Sequence, residues 1–355
     1  MDPTTQRLLM SSSSAGAGTG TSALAVAHDG SPYVTVYPWS VSGFGTGYTA
    51  PASSPAGNAK AIAFSPDGTA LAVAHETSPY VTVYQWSGGF GTKYTPIVGN
   101  RPTGTARSVA FSPDGTVLVV GHDTSPFVTA YPWSLGSGGF GTKYGNPSPL
   151  PPSTVWGAAF SPNGTALAFA TDAGNYVIAY QWSGGFSSIY SAPSTLPPSS
   201  ANGVAFSPDG AALAVAHFSS SRITAYPWSG SGFGTKYTPD PLTPPTGTAW
   251  GVAFSPDGGA LAVAHSTSPR LSVYPWSGSG FGTKYTPDPS PAISNNANGV
   301  AFSPNSAEIA VVISASPYVA AYRWTGGGGF GTKYTPDPSP AIPSTANGVS
   351  FKIVS

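Results

Sequence analysis

The sequence predicts an all-β fold, a seven-bladed β-propeller of four-stranded blades. Three observations carry that prediction. One unit recurs seven times in the 355 residues, with anchor phenylalanines Phe64, Phe111, Phe160, Phe206, Phe254, Phe302 and Phe351 spaced 46 to 49 residues apart. Each unit contains four strand-like segments separated by turn residues, which is the pattern of a propeller blade. The seventh unit is split between the two chain ends, so that one end must complete the other.

The unit beginning near Asn202 shows why each segment reads as a strand. Gly203-Val204-Ala205-Phe206 alternates large and small residues, as a half-buried strand does. Ser207-Pro208-Asp209-Gly210 is a turn: proline presets the first central position and glycine suits the exit. Leu213-Ala214-Val215-Ala216-His217 is a second strand with Leu and Val on one face and Ala on the other. Two apolar faces of unequal size suit a sheet that nests between two neighbours. Ile223-Thr224-Ala225-Tyr226-Pro227-Trp228 forms the third strand, and Gly232-Phe233-Gly234-Thr235-Lys236-Tyr237 the fourth and outermost. Lysine recurs on that outer segment at Lys93, Lys143, Lys236, Lys284 and Lys333, where it would discourage edge pairing; a rim anion site is the other reading. Proline-rich runs such as Tyr237-Thr238-Pro239-Asp240-Pro241 end the ladder and read as rigid crossovers between blades.

Closure follows from the permutation of the repeats. The chain's first strand-like segment is Leu24-Ala25-Val26-Ala27-His28, a second strand with no first strand before it. The chain ends on an orphan first strand, Asn347-Gly348-Val349-Ser350-Phe351-Lys352-Ile353. Together they make one complete blade. The expected organisation is therefore a flexible N-terminal arm over residues 1–20, rich in Ser and Gly, and a propeller over residues 21–355. The arm reads as either a disordered tail or a tether to a larger assembly.

Composition narrows the function classes. Charged residues are 7% of the chain and the formal net charge is zero, so no basic field exists to attract nucleic acid. There is no cysteine, which rules out disulfides and thiolate metal sites. No apolar run is long enough to cross a membrane as a helix, and the N-terminus lacks the pattern of a signal peptide. No cofactor or metal is expected. The five histidines, His28, His75, His122, His217 and His265, share one repeat position on separate blades, too far apart to share an ion; they read as structural, bonded to the following Ser-Pro loop or to the adjacent blade. The seven repeat tryptophans, Trp39, Trp86, Trp133, Trp182, Trp228, Trp276 and Trp324, read as architectural, with one sugar-stacking pocket per blade as the alternative.

The unit Val-Ala-Phe-Ser-Pro-Asp-Gly, Leu-Ala-Val-Ala-His, Val-Thr-Val-Tyr resembles a divergent WD-repeat propeller. It departs from that pattern where Trp-Asp is usual, having Tyr226-Pro227 or Tyr84-Gln85, and it lacks the Gly-His pair. The fuller string through Tyr-x-Trp-Ser-Gly-Gly-Phe-Gly-Thr-Lys-Tyr resembles repeats of tailed bacteriophages and their bacterial hosts. That resemblance implies a virion or host-interaction role.

Positions that vary against a constant repeat mark the candidate site. Four residues before each anchor phenylalanine stand Lys60, Arg107, Trp156, Asn202, Trp250, Asn298 and Asn347. At the start of each inner strand they would circle one mouth of the central channel. These residue types stack on sugar rings or bind polar and anionic groups; drift at a wet position is the other reading. No carboxylate shares this register, and no catalytic motif is present. The expectation is a non-catalytic module, a phage virion accessory protein on the virion surface with virion proteins as partners. The alternative is a lectin-like binder of host-surface glycans, and a propeller enzyme is the third reading. Neither nucleic acid nor membrane insertion is expected.

Overall fold

A computed structural model describes residues 22–352 of the chain. The expected arm over residues 1–20 lies outside the described residues. Seven antiparallel sheets form a closed ring, each with its first strand innermost. Blade 1 combines Ala346–Phe351 with Ser22–His28, Val34–Ser40 and Gly43–Phe44. The inner strands of blades 2 to 7 are Ala59–Phe64, Ala106–Phe111, Val155–Phe160, Ala201–Phe206, Ala249–Phe254 and Ala297–Phe302. The closure predicted from the split repeat is present: Leu24 pairs with Phe351 and Val26 with Val349.

The alternation of large and small residues explains how blades nest. Ala212–His217 is buried along its whole length because both faces are covered. Leu213, Val215, Tyr226 and Trp228 of blade 5 pack on Ala166, Ala168 and Ala170 of blade 4. Ala212, Ala214 and Ala216 receive Leu261, Val263 and Tyr274 of blade 6. Small faces thus meet large faces around the ring, and close packing follows.

Two aromatic devices fasten each blade. The repeat tryptophans are buried, each among edge-on rings; Trp228 sits 5.0 Å from Tyr190, 5.1 Å from Phe206 and 5.0 Å from Phe233. Their burial removes the reading of one stacking pocket per blade. The tyrosine standing before Pro, Gln or Arg is also buried, and its hydroxyl donates to a carbonyl of the preceding crossover. Tyr84 donates to Ser53 at 2.7 Å, Tyr226 to Thr195 at 2.8 Å and Tyr322 to Pro291 at 2.8 Å. Tyr37 does the same across the closure, to Pro340 at 2.6 Å. A buried phenol needs such an acceptor, and each proline-rich crossover supplies one.

Several fourth strands are shorter than expected. In blade 5 the strand is only Gly232–Phe233, and in blade 6 it shrinks to a single bridge between Trp276 and Phe281. Beyond these short strands Lys143, Lys236 and Lys284 lie off the sheet, whereas Lys93 and Lys333 stay on the outermost strands of blades 2 and 7. Three of the five pair with a crossover aspartate: Lys236 with Asp240 at 2.7 Å, Lys333 with Asp337 at 2.5 Å, and Lys284 with Asp288. Lys93 donates to the Ser54 carbonyl at 2.6 Å.

Candidate functional site at the channel mouth

Each inner strand begins with a β-bulge. Ala59 pairs with His75 and Ala61 with Ala74, so Lys60 is the extra, unpaired residue. The same shift leaves Arg107, Trp156, Asn202, Trp250 and Asn298 unpaired in blades 3 to 7, and Asn347 in blade 1. These are the seven residues singled out in the sequence. A bulge frees a side chain from the alternation of the strand and re-aims it. All seven line one cavity of about 450 Å³ in the central channel.

Below the bulges the channel narrows through a ring of small residues. At Gly157 an added Cβ would lie 3.0 Å from the Asn202 carbonyl and 3.1 Å from the Gly203 Cα. At Gly348 it would lie 3.1 Å from the Ala61 Cα. Glycine therefore permits the close approach of adjacent inner strands. Ile62, Val109, Val204, Val252, Val300 and Val349 line the next, apolar layer.

The mouth is chemically lopsided. On one side Lys60 Nζ lies 2.8 Å from Asp29 and 3.4 Å from Glu76. Arg107 pairs with Asp123 at 3.0 Å and its guanidinium stacks on Trp156, 4.9 Å from the ring centre. Asp29, Glu76 and Asp123 are the residues directly after the second strands of blades 1, 2 and 3. On the other side Trp250 packs edge-on against Phe218, which is 39% exposed. The three asparagines spend their amide groups on structure. Asn202 donates to Ala249, Asn298 to Ala346 and Asn347 to Ala59, each at 2.8 Å and each onto the next blade. Asn347 also donates to Asp29 at 2.9 Å.

Carboxylates are thus present at the mouth although none shares the register of the bulge ring. Comparison within that single register hid them, because they come from the adjacent strand. Asp29 reaches Lys60 from a different blade. The signal available in the sequence was the residue after each second-strand histidine, which changes from Asp29, Glu76 and Asp123 to Phe218 and Ser266.

The histidines are structural: beside the backbone of the following loop, at Gly30, Thr77, Thr124, Ser219 or Thr267, each also bonds a hydroxyl of its own blade. His28 Nε2 lies 2.9 Å from Thr35 Oγ1, and His217 Nε2 3.0 Å from Thr224 Oγ1, on the third strand of the same blade. Burial lowers the pKa of each of the five to about 4, so they stay neutral at pH 7.

No protein-family model and no curated protein matches the sequence. Solved structures do match the fold. A proposed 6-phosphogluconolactonase of Bacteroides uniformis aligns with a TM-score of 0.70 at 12% identity, over 93% of this chain and 99% of that one. The periplasmic gluconolactonase PpgL of Pseudomonas aeruginosa aligns with a TM-score of 0.69 at 15% identity, over 94% of this chain and 100% of that one. A protein from Lactobacillus plantarum aligns with a TM-score of 0.71 at 17% identity, over 94% and 99%. What is shared is the fold.

These matches correct the sequence-based expectation. The named propellers are enzymes or proposed enzymes, not WD-repeat or phage repeat proteins. The reading as a phage virion accessory protein, with its lectin-like alternative, is therefore set aside. So is the expectation that the chain is not an enzyme, which rested on a ring without carboxylates and on the absence of a catalytic motif. The resemblance of repeat strings misled because short β-blade strings are fixed by packing needs common to all propellers, not by chemistry.

Proposed function

We propose that the chain is a hydrolase of sugar-derived lactones, with the channel mouth as its active site. One observation carries the reading: Lys60, Asp29 and Glu76 meet beside the Arg107–Asp123 pair on the rim of a cavity of about 450 Å³. The lactonase names borne by propellers of the same fold support it.

Lactone hydrolysis needs a base for the attacking water, a cation or donor for the oxyanion, and a surface to hold the ring. Of the three carboxylates paired with the mouth cations, Glu76 is the least committed. Its contact with Lys60 is 3.4 Å, whereas Asp29 accepts from both Lys60 and Asn347 and Asp123 is held by Arg107. Glu76 takes the proton of water as the oxygen attacks the lactone carbonyl carbon. The Lys60 ammonium stabilises the resulting oxyanion. Collapse breaks the bond from that carbon to the ring oxygen, which leaves with the proton held by Glu76. The aldonic acid product then loses its own proton to solvent. Trp156 and Trp250 offer flat apolar faces for the C–H side of a sugar ring.

The test is hydrolysis of glucono-1,5-lactone and of 6-phosphoglucono-1,5-lactone, followed by proton release against the spontaneous rate. Glu76→Gln is expected to lower kcat by about 100-fold or more. A wild-type protein that gives no acceleration with either lactone would overturn the assignment.

A further inference from the structure

We infer that the site selects an uncharged sugar lactone over its phosphorylated counterpart, and that Asp123 is a residue that sets this choice. The inference rests on the lactonase reading for the identity of the ring, but its physical basis is the charge balance at the mouth.

Among the described residues lining the cavity, Lys60 and Arg107 are the only charged ones. A phosphate dianion would need at least one of them free. Neither is: Lys60 faces Asp29 and Glu76, and Arg107 faces Asp123. Two cations held by three carboxylates leave one net negative charge in this cluster, and Asp172, at the same place after the second strand of blade 4, adds another carboxylate to that face. An arriving dianion must either break an existing pair or sit against that surplus, and both are unfavourable.

The remaining lining groups suit a neutral polyol. The three asparagine amides are already committed to the neighbouring blade, which leaves their carbonyl oxygens as acceptors for hydroxyl groups. Trp156 carries Arg107 on one face, so the guanidinium and indole form a single flat platform. Asp123 holds that platform together through its 3.0 Å contact with Arg107. It is a specificity residue that acts through Arg107. Replacing it with asparagine removes one negative charge and frees a guanidinium that binds phosphate oxygens well.

The experiment uses the full chain and two matched pairs of probes. In the first pair, kcat/KM is compared for glucono-1,5-lactone and 6-phosphoglucono-1,5-lactone. In the second, affinity is compared by calorimetry for glucitol and glucitol 6-phosphate, which cannot be hydrolysed as lactones. The wild type is expected to favour the uncharged member of each pair by about ten-fold or more, and Asp123→Asn to shrink that ratio by about ten-fold. Glu76→Gln, which removes a carboxylate from Lys60 instead, should shift the glucitol ratio in the same direction. Preference of the wild type for the phosphorylated member in either pair overturns the inference. So does an unchanged ratio in both variants, or binding of neither polyol together with hydrolysis of neither lactone. If glucitol is preferred while no lactone is hydrolysed, the hydrolase reading fails and the charge selectivity stands.

Discussion

Replacing Phe351 with alanine tests whether the C-terminal strand closes the ring. Phe351 is 8% exposed and its ring lies 5.4 Å from Trp39, edge-on. It packs with Leu24, Val26 and Tyr37 of blade 1 and with Val312 of blade 7. Truncating a phenylalanine in such a core costs about 3–5 kcal/mol, from lost transfer energy and the cavity left behind. Total stability of a folded domain is about 5–15 kcal/mol, so the loss is a large fraction of it. At about 2 °C per kcal/mol for a long chain, Tm should fall by about 6–10 °C. Phe206→Ala is the internal control. Phe206 is 9% exposed and sits 5.1 Å from Trp228, but on a strand in the middle of the chain. Calorimetric melting of both variants should give similar losses. If Phe351→Ala costs under about 1 kcal/mol while Phe206→Ala costs the full amount, the closing strand contributes no packed core and the closure argument is refuted.

Two further outcomes follow from the repeated contacts. Tyr226→Phe leaves the Thr195 carbonyl without its 2.8 Å donor and should cost about 1–3 kcal/mol in urea denaturation; no cost would show that water replaces the phenol. The histidines make stability depend on pH with a definite sign. His265 has a folded pKa of about 4 against an ordinary value of 6.5, because burial disfavours its charged form. Below pH 6.5 the unfolded chain binds a proton that the folded chain refuses. The contribution of His265 is therefore full above 6.5 and is lost as pH falls towards 4. His265→Thr, which places there the residue that blade 4 carries at Thr171, should reduce the slope of stability against pH near pH 5 by about 1.2 kcal/mol per unit. Equal slopes for the two proteins would mean that His265 is not buried neutral.

Much of the fold is legible in the sequence because each blade is written in local terms. Period, strand alternation and the Ser-Pro-Asp-Gly turn each depend on neighbours in the chain, and the split repeat dictates closure. The ring of Lys60, Arg107, Trp156, Asn202, Trp250, Asn298 and Asn347 is also legible, since seven variable residues at one repeat position must share one place in a closed ring. The lengths of the outer strands were not. Gly-Phe-Gly-Thr-Lys-Tyr has the composition of a strand, yet the fourth strand is cut to two residues or a bridge where the third carries Pro38, Pro132, Pro227 or Pro275, which offers it no N–H, and it runs on where Gln85, Gln181 or Arg323 stands.

By itself, then, the sequence determined seven blades, their nesting faces and the strand that joins the two ends, because those follow from repetition and from the period of side chains along a strand. Only the tertiary structure decided what the mouth can do. The bulge that aims Lys60 inward is a register shift between strands, and Asp29 meets Lys60 across a blade boundary, 31 residues away in the chain. Such a meeting depends on how far one sheet is rotated from the next, and no local pattern of residues encodes that angle.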